Sequence, residues 1–481
     1  ITDYTSINPE YGTMKDFENL LESVHELGMK LILDMVLNHT SDEHPWFLES
    51  KASRDSPKRD WYVWRDGKKP NGKKPPNNWR SLFGGSAWSY DRTTDQWYLH
   101  QFAEFQPDLN YRNPEVKETM FNVLRFWLDK GVDGFRLDAI STIYEDSMFR
   151  DNPFSFHFIP SDNYTDALFQ KKIYTINTQD TYNFCKELRT IMDEYEPERF
   201  LVGEAFGSIK EIRRFCGEKN DGLHLVFIFK TLRTKFNAPS QRRLIKEMES
   251  YFAHPCIPTY VYSNHDRIRH ISRLGNDVKK AKLNTLLQLT VRGVPFIYYG
   301  EEIGMVQARI PLKEAKDCVA KRYRWAPQFA IDMIRMFYKE SLNRDESRTP
   351  MQWNCSKNAG FSNVEPWLPV HPKYKKINVE VEEKDEESML NFYRRLLQVR
   401  RENVALLEGA LEFIKKYEES KNILAYRRKS KNQTLEIYLN FSTKIHRIDI
   451  DGNVIFATSK NVASGKTLNL KEYDGAIVDI T

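Results

Sequence analysis

Amphipathic helices alternate with short apolar strands along most of this chain, and this alternation restricts the possible folds more than any other feature. Residues 14–27 carry apolar side chains at helical spacing, and the apolar run of residues 30–36 follows them. The same unit recurs as a helix over residues 116–128 and a strand over residues 132–137. Further strands are predicted at residues 200–203, 223–229, 257–263 and 294–299. The order indicates a parallel sheet, with the first strand buried on both faces.

Two fold classes accept this pattern, a doubly wound sheet and a (β/α)8 barrel. No Gly-x-Gly-x-x-Gly sequence follows any of the predicted strands, which disfavours a dinucleotide-binding sheet. Polar residues of catalytic type instead follow four different strands, as they do in barrel enzymes. We therefore predict an α/β chain with a (β/α)8 TIM barrel, whose first two strands would lie before Ile1.

Two stretches interrupt the alternation and predict further domains. Residues 40–110 are rich in Trp, Tyr, Pro, Gly and Lys and are too long for a plain loop, which indicates a subdomain B inserted after the third barrel strand. After a helix at residues 389–401, the alternating pattern of residues 406–481 predicts a C-terminal antiparallel β-sandwich domain. The catalytic barrel would then comprise residues 1–39 and 111–405. The tryptophans assigned to the core of the insert are Trp46, Trp64, Trp79 and Trp88.

Composition and charge exclude several classes of protein. The chain has 72 Lys and Arg against 67 Asp and Glu, a net charge of +5 without a basic block, so neither nucleic acid nor a membrane surface is an expected partner. No apolar run approaches the ~18 residues that a membrane span needs. The cysteines are odd in number and far apart, which is typical of free thiols in a reducing cytosol. We expect a cytoplasmic monomer or weak oligomer without metal ligands in this sequence.

Charged side chains cluster at the ends of four predicted strands. They are Asp34 and His39, Arg136 and Asp138, Glu204, and His265 and Asp266. Each group alone could be a structural ion pair or a helix cap. On one rim of a barrel, however, they would bring three or more carboxylates together, and grouped like charges destabilise a fold. The joint pattern therefore points to a catalytic site.

Paired carboxyl groups are what the cleavage of an acetal requires. One must be ionised to attack or stabilise an oxocarbenium-like centre, while the other must carry a proton for the leaving oxygen. Arg136 precedes Asp138 by two residues on the same face of a strand, so it would keep that carboxylate ionised and oriented. Glu204 is followed by the small apolar Ala205, which suits a proton-carrying carboxyl group. The pattern favours glycoside hydrolysis.

Five segments resemble the sequence regions of the α-amylase family of glycoside hydrolases, in that family's usual order. Residues 34–39 match its Asp-x-x-x-Asn-His region, and residues 106–110 match its Gln-Pro-Asp-Leu-Asn region. Residues 134–138 match Gly-Phe-Arg-x-Asp, residues 203–205 the acid/base region, and residues 264–266 Asn-His-Asp. The resemblance implies a TIM barrel and a small oligosaccharide or disaccharide as substrate.

The resemblance also implies roles for individual residues. Asp138 would be the nucleophile, Glu204 the general acid/base and Asp266 a third essential carboxylate. Residues 7–13 and 348–353 are similar to the oligo-1,6-glucosidase and α-glucosidase branch, whose members remove terminal glucose from short α-glucosides with retention. The residues that would hold the substrate are Asp34, His39, Arg136, Ala139, His265 and Arg348. No cofactor is implied; a structural calcium ion and a tyrosine that stacks on glucose are expected only before Ile1.

Specificity is the least determined part of this interpretation. In the branch, valine after the nucleophile accompanies α-1,6 preference, whereas alanine or threonine accompanies α-1,4 preference. Ala139 therefore favours α-1,4 linkages, because a smaller side chain leaves room for a differently angled sugar. The loop of residues 153–163 is the expected wall of the substrate site. Transglycosylation or sucrose- or trehalose-type isomerisation stays open, as does, more remotely, a non-catalytic amylase-like domain such as that of an amino-acid transporter heavy chain.

Overall fold

A computed structural model of the protein describes residues 1–157, 163–329, 332–333, 341–460, 462–464 and 466–481. They divide into a first unit, Ile1–Phe227 with His254–Cys256, and a second unit, Ile228–Ala253 with Ile257–Thr481. The helices of the first unit are α1 (Met14–Glu26), α2 (Pro45–Ala52), α3 (Pro114–Asp129), α4 (Gln179–Met192) and α5 (Ile209–Arg213). Its strands are β1 (Ile32–Met35), β2 (Trp64–Arg65), β3 (Trp88–Asp91), β4 (Gln96–Leu99), β5 (Gly134–Leu137), β6 (Phe200–Gly203) and β7 (Leu225–Val226).

A four-stranded parallel sheet in the order β1-β5-β6-β7 is the frame of the first unit. All four predicted strands form, although three are shorter than the sequence pattern indicated. The prediction that the first strand is buried on both faces is wrong for the described chain. Strand β1 lies at an edge of this sheet, and its Ile32 and Asp34 side chains are exposed while Met35 is buried.

The helices that flank the sheet begin and end where local chemistry dictates. Thr13 and Asp16 form a capping box at the start of α1, and Gly28 follows its end with a left-handed φ of 69°. Asn113 caps α3, whose first residue is a proline, as is common at that position. Phe17 of α1 packs edge-on against Trp127 of α3, with ring centroids 5.2 Å apart. These contacts hold two crossover helices together.

The segment predicted as an inserted subdomain contains its own antiparallel sheet, in the order β2-β4-β3. Trp79 and Trp88 pack with Val63 and Leu99 into a separate small core, and Trp64 is also buried. The prediction of core positions is therefore confirmed for these three tryptophans. Trp46 is only half-buried.

The second unit combines helices, two parallel strands and a C-terminal antiparallel region. Its helices are α6 (Lys230–Arg233), α7 (Ala238–Tyr251), α8 (His270–Arg273), α9 (Val278–Thr290), α10 (Cys318–Arg322), α11 (Val379–Lys384), α12 (Met389–Glu402) and α13 (Val404–Leu407). Strands β8 (Thr259–Val261) and β9 (Val294–Phe296) pair in parallel. Helix α9 is buried along most of its length and packs against α12.

The C-terminal region consists of two antiparallel sheets that share one apolar core. Its strands are β10 (Ala410–Phe413), β11 (Ile423–Lys429), β12 (Thr434–Asn440), β13 (His446–Asp449), β14 (Asn453–Ala457), β15 (Ala463–Ser464), β16 (Thr467–Leu470) and β17 (Gly475–Asp479). The larger sheet has the order β10-β11-β12-β17-β14, and the smaller has β13-β16-β15. Ile423 and Tyr438 from the larger sheet pack with Ile448 and Leu468 from the smaller. The predicted antiparallel C-terminal domain is confirmed.

Across the residues that the structure describes, every helix is too short or too polar to cross a lipid bilayer.

Gly134 should be indispensable for the pairing of β5 with β6. A Cβ at this position would lie 2.0 Å from the Phe200 carbonyl oxygen, and φ is 154°. We expect Gly134→Ala to lower the free energy of unfolding by about 3 kcal/mol or more, measured by urea titration. Gly28→Ala is the matched control, because Gly28 has a positive φ but nothing within 4 Å, so only about 1 kcal/mol of backbone strain is expected. Equal losses in the two variants would contradict this account.

Candidate active site

The register of the parallel sheet brings the predicted acidic residues together. Asp34 on β1 lies directly opposite Arg136 on β5, and Leu137 lies opposite Gly203 on β6. Asp138 and Glu204 follow their strands at the same level, so they share a face with Arg136 by the two-residue alternation of a strand. Backbone hydrogen bonds continue this register past the strand ends, from the Asp138 N–H to the Met35 oxygen and from the Glu204 N–H to the Leu137 oxygen.

One guanidinium group connects the three carboxyl groups. Arg136 Nη1 lies 2.7 Å from Asp34 Oδ1 and 2.5 Å from Asp138 Oδ1, and its Nη2 lies 2.5 Å from Glu204 Oε2. Burial acts to lower the pKa of Arg136, but Glu204, Asp34 and Asp138 outweigh it and hold that pKa above its usual value. Arg136 is therefore a permanent cation that fixes the positions of all three acids.

The three carboxyl groups differ in their exposure. The side chain of Glu204 is 9% exposed, that of Asp138 is 27% exposed and that of Asp34 is 59% exposed. Since three acids share one positive charge, the cluster can carry an excess of negative charge. Such an excess favours a reaction in which positive charge develops on the substrate.

Ala139 follows the predicted nucleophile in a conformation that the sequence does not reveal. It is buried and has the left-handed dihedral angles φ 43° and ψ 39°, which are uncommon for a residue with a Cβ. The turn places its backbone nitrogen 3.5 Å from Glu204 Oε2. Strain of this kind concentrates at functional sites, and here it lets the chain turn sharply after Asp138.

His39 is buried and neutral beside this cluster. Burial lowers its pKa to about 4, although the negative charge of Asp138 works in the opposite direction. The Gln106 amide lies 2.8 Å from Nε2, and the Asn38 side-chain oxygen lies 3.1 Å from Nδ1. A neutral ring fits these partners if Nδ1 carries the proton and Nε2 accepts from Gln106. His39 would thus have to exchange one partner to bind a sugar hydroxyl.

Sequence reasoning missed Gln106, although it belongs to one of the five recognised segments.

A second charged cluster lies in the second unit around Asp266. Arg344 and Arg348 donate to Asp266 Oδ1 at 3.0 and 2.8 Å, and His265 Nε2 lies 3.4 Å from Oδ2. Burial acts to raise the pKa of Asp266, but the charges of His265, Arg344 and Arg348 outweigh it, so the pKa is lowered. Arg344 is in turn oriented by the buried Asp317, at 2.7 Å. The arrangement keeps Asp266 ionised.

The predicted site residues thus fall into two groups. The first unit brings together Asp34, His39, Arg136, Asp138, Ala139 and Glu204, and the second brings together His265, Asp266 and Arg348. Sequence reasoning missed Arg344, which lies one turn before Arg348 and outside the recognised segment of residues 348–353. Of the loop predicted as a substrate wall, residues 158–162 lie outside the described residues. No group of three or more His, Cys, Asp or Glu side chains within the described ranges is arranged to hold a metal ion.

Comparison with known proteins gives consistent matches over most of the chain. Residues 1–409 match the family model for the alpha amylase catalytic domain. The chain is 38% identical over 461 residues to a probable oligo-1,6-glucosidase of Bacillus subtilis, covering 92% of this chain and 80% of that protein. It is 40% identical over 448 residues to an alpha-glucosidase of Candida albicans, covering 86% and 77%.

Solved structures match the whole chain. A trehalulose synthase from Pseudomonas mesoacidophila MX-45 is 32% identical with a TM-score of 0.87, over 100% of this chain and 88% of that one. A trehalose-6-phosphate hydrolase from Bacillus licheniformis is also 32% identical, with a TM-score of 0.86 and the same coverage. The names of these relatives all describe reactions on small sugars, but the reactions differ from one relative to another.

His39 should make the protein less stable in acid. Its pKa is about 4 in the folded protein and 6.5 is the ordinary value, so the unfolded chain takes up the proton first. The stabilising contribution is complete above pH ~6.5, falls as the pH drops towards 4, and amounts to about 3 kcal/mol. We expect urea titrations between pH 7.5 and 4 to show a smaller loss in His39→Gln than in the parent by roughly that amount. The difference in unfolding free energy between the parent and His39→Gln at pH 7.5 measures the lost contacts alone. If the unfolding free energies of the two proteins fell in parallel as the pH dropped, the prediction would be contradicted.

Proposed function

The chain belongs to the α-amylase family of glycoside hydrolases and has its TIM-barrel fold, and on this premise we propose that it is a retaining, exo-acting α-glucosidase. Its substrates would be short oligosaccharides from which it removes a terminal α-linked glucose. The observation that carries this proposal is the bridge from Arg136 to both Asp138 and Glu204, at 2.5 Å each. A single planar guanidinium holds the two carboxyl groups close together, which suits the ~5–5.5 Å separation of retaining enzymes better than the wider separation of inverting ones.

The two carboxyl groups would divide the chemistry between them. The Asp138 carboxylate attacks the anomeric carbon while Glu204 gives a proton to the departing glycosidic oxygen, which leaves glucose bonded to Asp138. Glu204 then takes a proton from water as the water oxygen attacks the same carbon and releases Asp138. The two groups differ in exposure, since the Glu204 side chain is 9% exposed and the Asp138 side chain is 27% exposed, and both contact Arg136 at 2.5 Å.

The remaining site residues would bind the glucose unit. Asp266, kept ionised by Arg344 and Arg348, is proposed as the third essential carboxylate and as an acceptor for sugar hydroxyl groups. His265 and Arg348 would act with it. Asp34 and His39 would contribute from the first unit together with Arg136. All of these contacts are polar, as recognition of a glucose ring requires.

We further propose the finer points of the fold. Strands β1, β5 to β7, β8 and β9 would be strands three to eight of a (β/α)8 barrel formed by residues 1–39 and 111–405. Residues 40–110 would be its subdomain B, and residues 406–481 a β-sandwich. The reaction would need no cofactor, because carboxyl groups supply both the nucleophile and the proton.

A second candidate function uses the same covalent intermediate. The match to a trehalulose synthase favours attack by a sugar hydroxyl in place of water, which gives an isomer or a longer sugar. The two reactions differ only in the molecule that takes the glucosyl group from the covalent intermediate, which is water in hydrolysis and a sugar hydroxyl in the alternative. Product analysis with sucrose, trehalose, maltose and isomaltose separates them, because hydrolysis releases free glucose in proportion to substrate consumed.

The roles of the two carboxyl groups can be assigned separately. We expect Asp138→Ala and Glu204→Ala each to lower kcat on an α-glucoside by about 10³-fold or more. Added azide should restore turnover of an activated aryl α-glucoside by Glu204→Ala with an α-glucosyl azide product, since azide attacks the intermediate without needing a base. With Asp138→Ala, azide would replace the nucleophile and give the β-azide.

The control for this experiment is Asp55→Ala, which removes an exposed carboxylate of the same unit. It should retain the activity of the parent. For the parent enzyme, NMR of the first product should show α-glucose; β-glucose would identify an inverting reaction and overturn the assignment of Asp138.

Ala139 should influence both linkage preference and stability. Ala139→Val is expected to lower kcat/KM for maltose relative to isomaltose by about tenfold, since the larger side chain narrows the space beside the nucleophile. Ala139→Gly is the comparison, because glycine adopts the left-handed conformation freely and should stabilise the fold by about 1 kcal/mol. An unchanged maltose to isomaltose ratio in the valine variant would contradict the proposed role of Ala139.

A further inference from the structure

An open pocket of about 770 Å³ lies in the first unit, apart from the acidic cluster. It is lined by residues 75, 77–80, 85 and 86 of the insert and by residues 152, 154 and 168–170, which lie between β5 and α4. None of the residues that line it belongs to the group around Arg136. The residues that line the pocket supply aromatic rings, amide groups and a guanidinium group.

Hydrogen bonds between the two lining segments fix the shape of this pocket. The Asn78 amide donates to the Asn152 oxygen at 2.8 Å, and the Asn152 N–H donates back to Asn78 Oδ1 at 2.8 Å. The Gln170 amide donates to the Asn78 oxygen at 2.5 Å, and its own oxygen accepts from the Arg80 N–H at 3.2 Å. Beneath them, the buried Lys172 donates to the Arg80 oxygen at 2.6 Å. A pocket with so many cross-links is formed before any ligand arrives.

Two phenylalanines form an aromatic wall. The rings of Phe154 and Phe169 are parallel within 4°, with centroids 6.2 Å apart, and their side chains are 62% and 44% exposed. Trp79, which is fully buried, supports the floor and donates its indole N–H to the Arg150 oxygen. Exposed aromatic surface beside fixed polar groups marks a binding site more often than chance. The apolar face of a pyranose ring matches a flat phenyl wall of this kind.

Arg80 supplies the hydrogen-bond donors at the rim. Its side chain is exposed, and within the described part of the chain its guanidinium group makes no hydrogen bond. A guanidinium group offers five N–H donors, and sugar hydroxyl oxygens are suitable acceptors for them. The hairpin that carries Arg80 turns at Gly84 and Gly85, whose positions have open space around the Cα. The side chains of Arg80, Phe154 and Phe169, which line the pocket, are all exposed.

We propose that this pocket is a second carbohydrate-binding site, which holds outer glucose units of an α-linked oligosaccharide on Phe154 and Phe169 with Arg80 at its rim. The choice of an α-glucan as ligand rests on the proposed function. The pocket would bind neutral sugar rings by stacking and by hydrogen bonds to hydroxyl groups. It would increase affinity for chains of several glucose units and leave disaccharides unaffected.

The test is calorimetric titration of the full chain with maltopentaose. An Asp138→Ala background prevents turnover, and Phe154→Ala/Phe169→Ala and Arg80→Gln are each added to it. We expect the dissociation constant for maltopentaose to rise by about tenfold or more in the double phenylalanine variant and less in Arg80→Gln. In the otherwise unmodified enzyme, Arg80→Gln should raise KM for maltopentaose and leave kcat/KM for maltose unchanged, because Arg80 lies outside the loop expected to form the wall of the substrate site.

Leu48→Ala is the matched control, because Leu48 is 56% exposed in the same unit and lies outside the pocket. It should leave maltopentaose affinity unchanged. Equal affinity in all variants, or no measurable binding by the parent, would overturn the proposal. A dimer of the parent that dissociates in the phenylalanine variant, seen by sedimentation, would identify an interface between copies and also overturn it. If the parent hydrolysed no α-glucoside but still bound maltopentaose through this pocket, only the proposed function would be overturned.

Discussion

The shared guanidinium group of Arg136 is the interaction on which the rest of the candidate site depends. Three carboxyl groups from three neighbouring strands meet one cation, and none of them could be placed so close to the others without it. The sheet supplies the necessary register, since Asp34 lies opposite Arg136 and Glu204 lies level with Asp138. That register depends in turn on Gly134, whose missing Cβ lets β5 and β6 approach. Backbone packing and charge pairing are thus parts of one arrangement.

The same balance between burial and neighbouring charge determines the pKa values of other site residues. Asp266 is half-buried, yet two arginines and a histidine hold its pKa low. His39 has no such excess of opposite charge, so burial dominates and its pKa falls to about 4. The second unit thus holds a fixed anion, which suits a reaction that passes through a positively charged sugar, and the first unit holds a neutral ring, which suits a substrate that offers only hydroxyl groups.

The strand ends that carry the acids could be predicted from the sequence because each follows an apolar run, and Arg136 could be placed beside Asp138 by the two-residue period of a strand. What could not be predicted depends on distant parts of the chain. Gln106 meets His39 only after residues 40–110 fold back, and Arg344 reaches Asp266 across 78 residues. The left-handed turn at Ala139 leaves no signal, because alanine rarely adopts it.

The central claim is that Asp138, held by Arg136, forms the covalent bond to glucose. The most direct measurement uses a slow, fluorine-substituted α-glucosyl fluoride, which forms the glycosyl-enzyme quickly and leaves it intact for mass spectrometry of the digested protein. The account predicts one label per chain, on the peptide that contains Asp138, and none in Asp138→Ala. A label on Glu204 or Asp34, or complete turnover without any trapped intermediate, would contradict it.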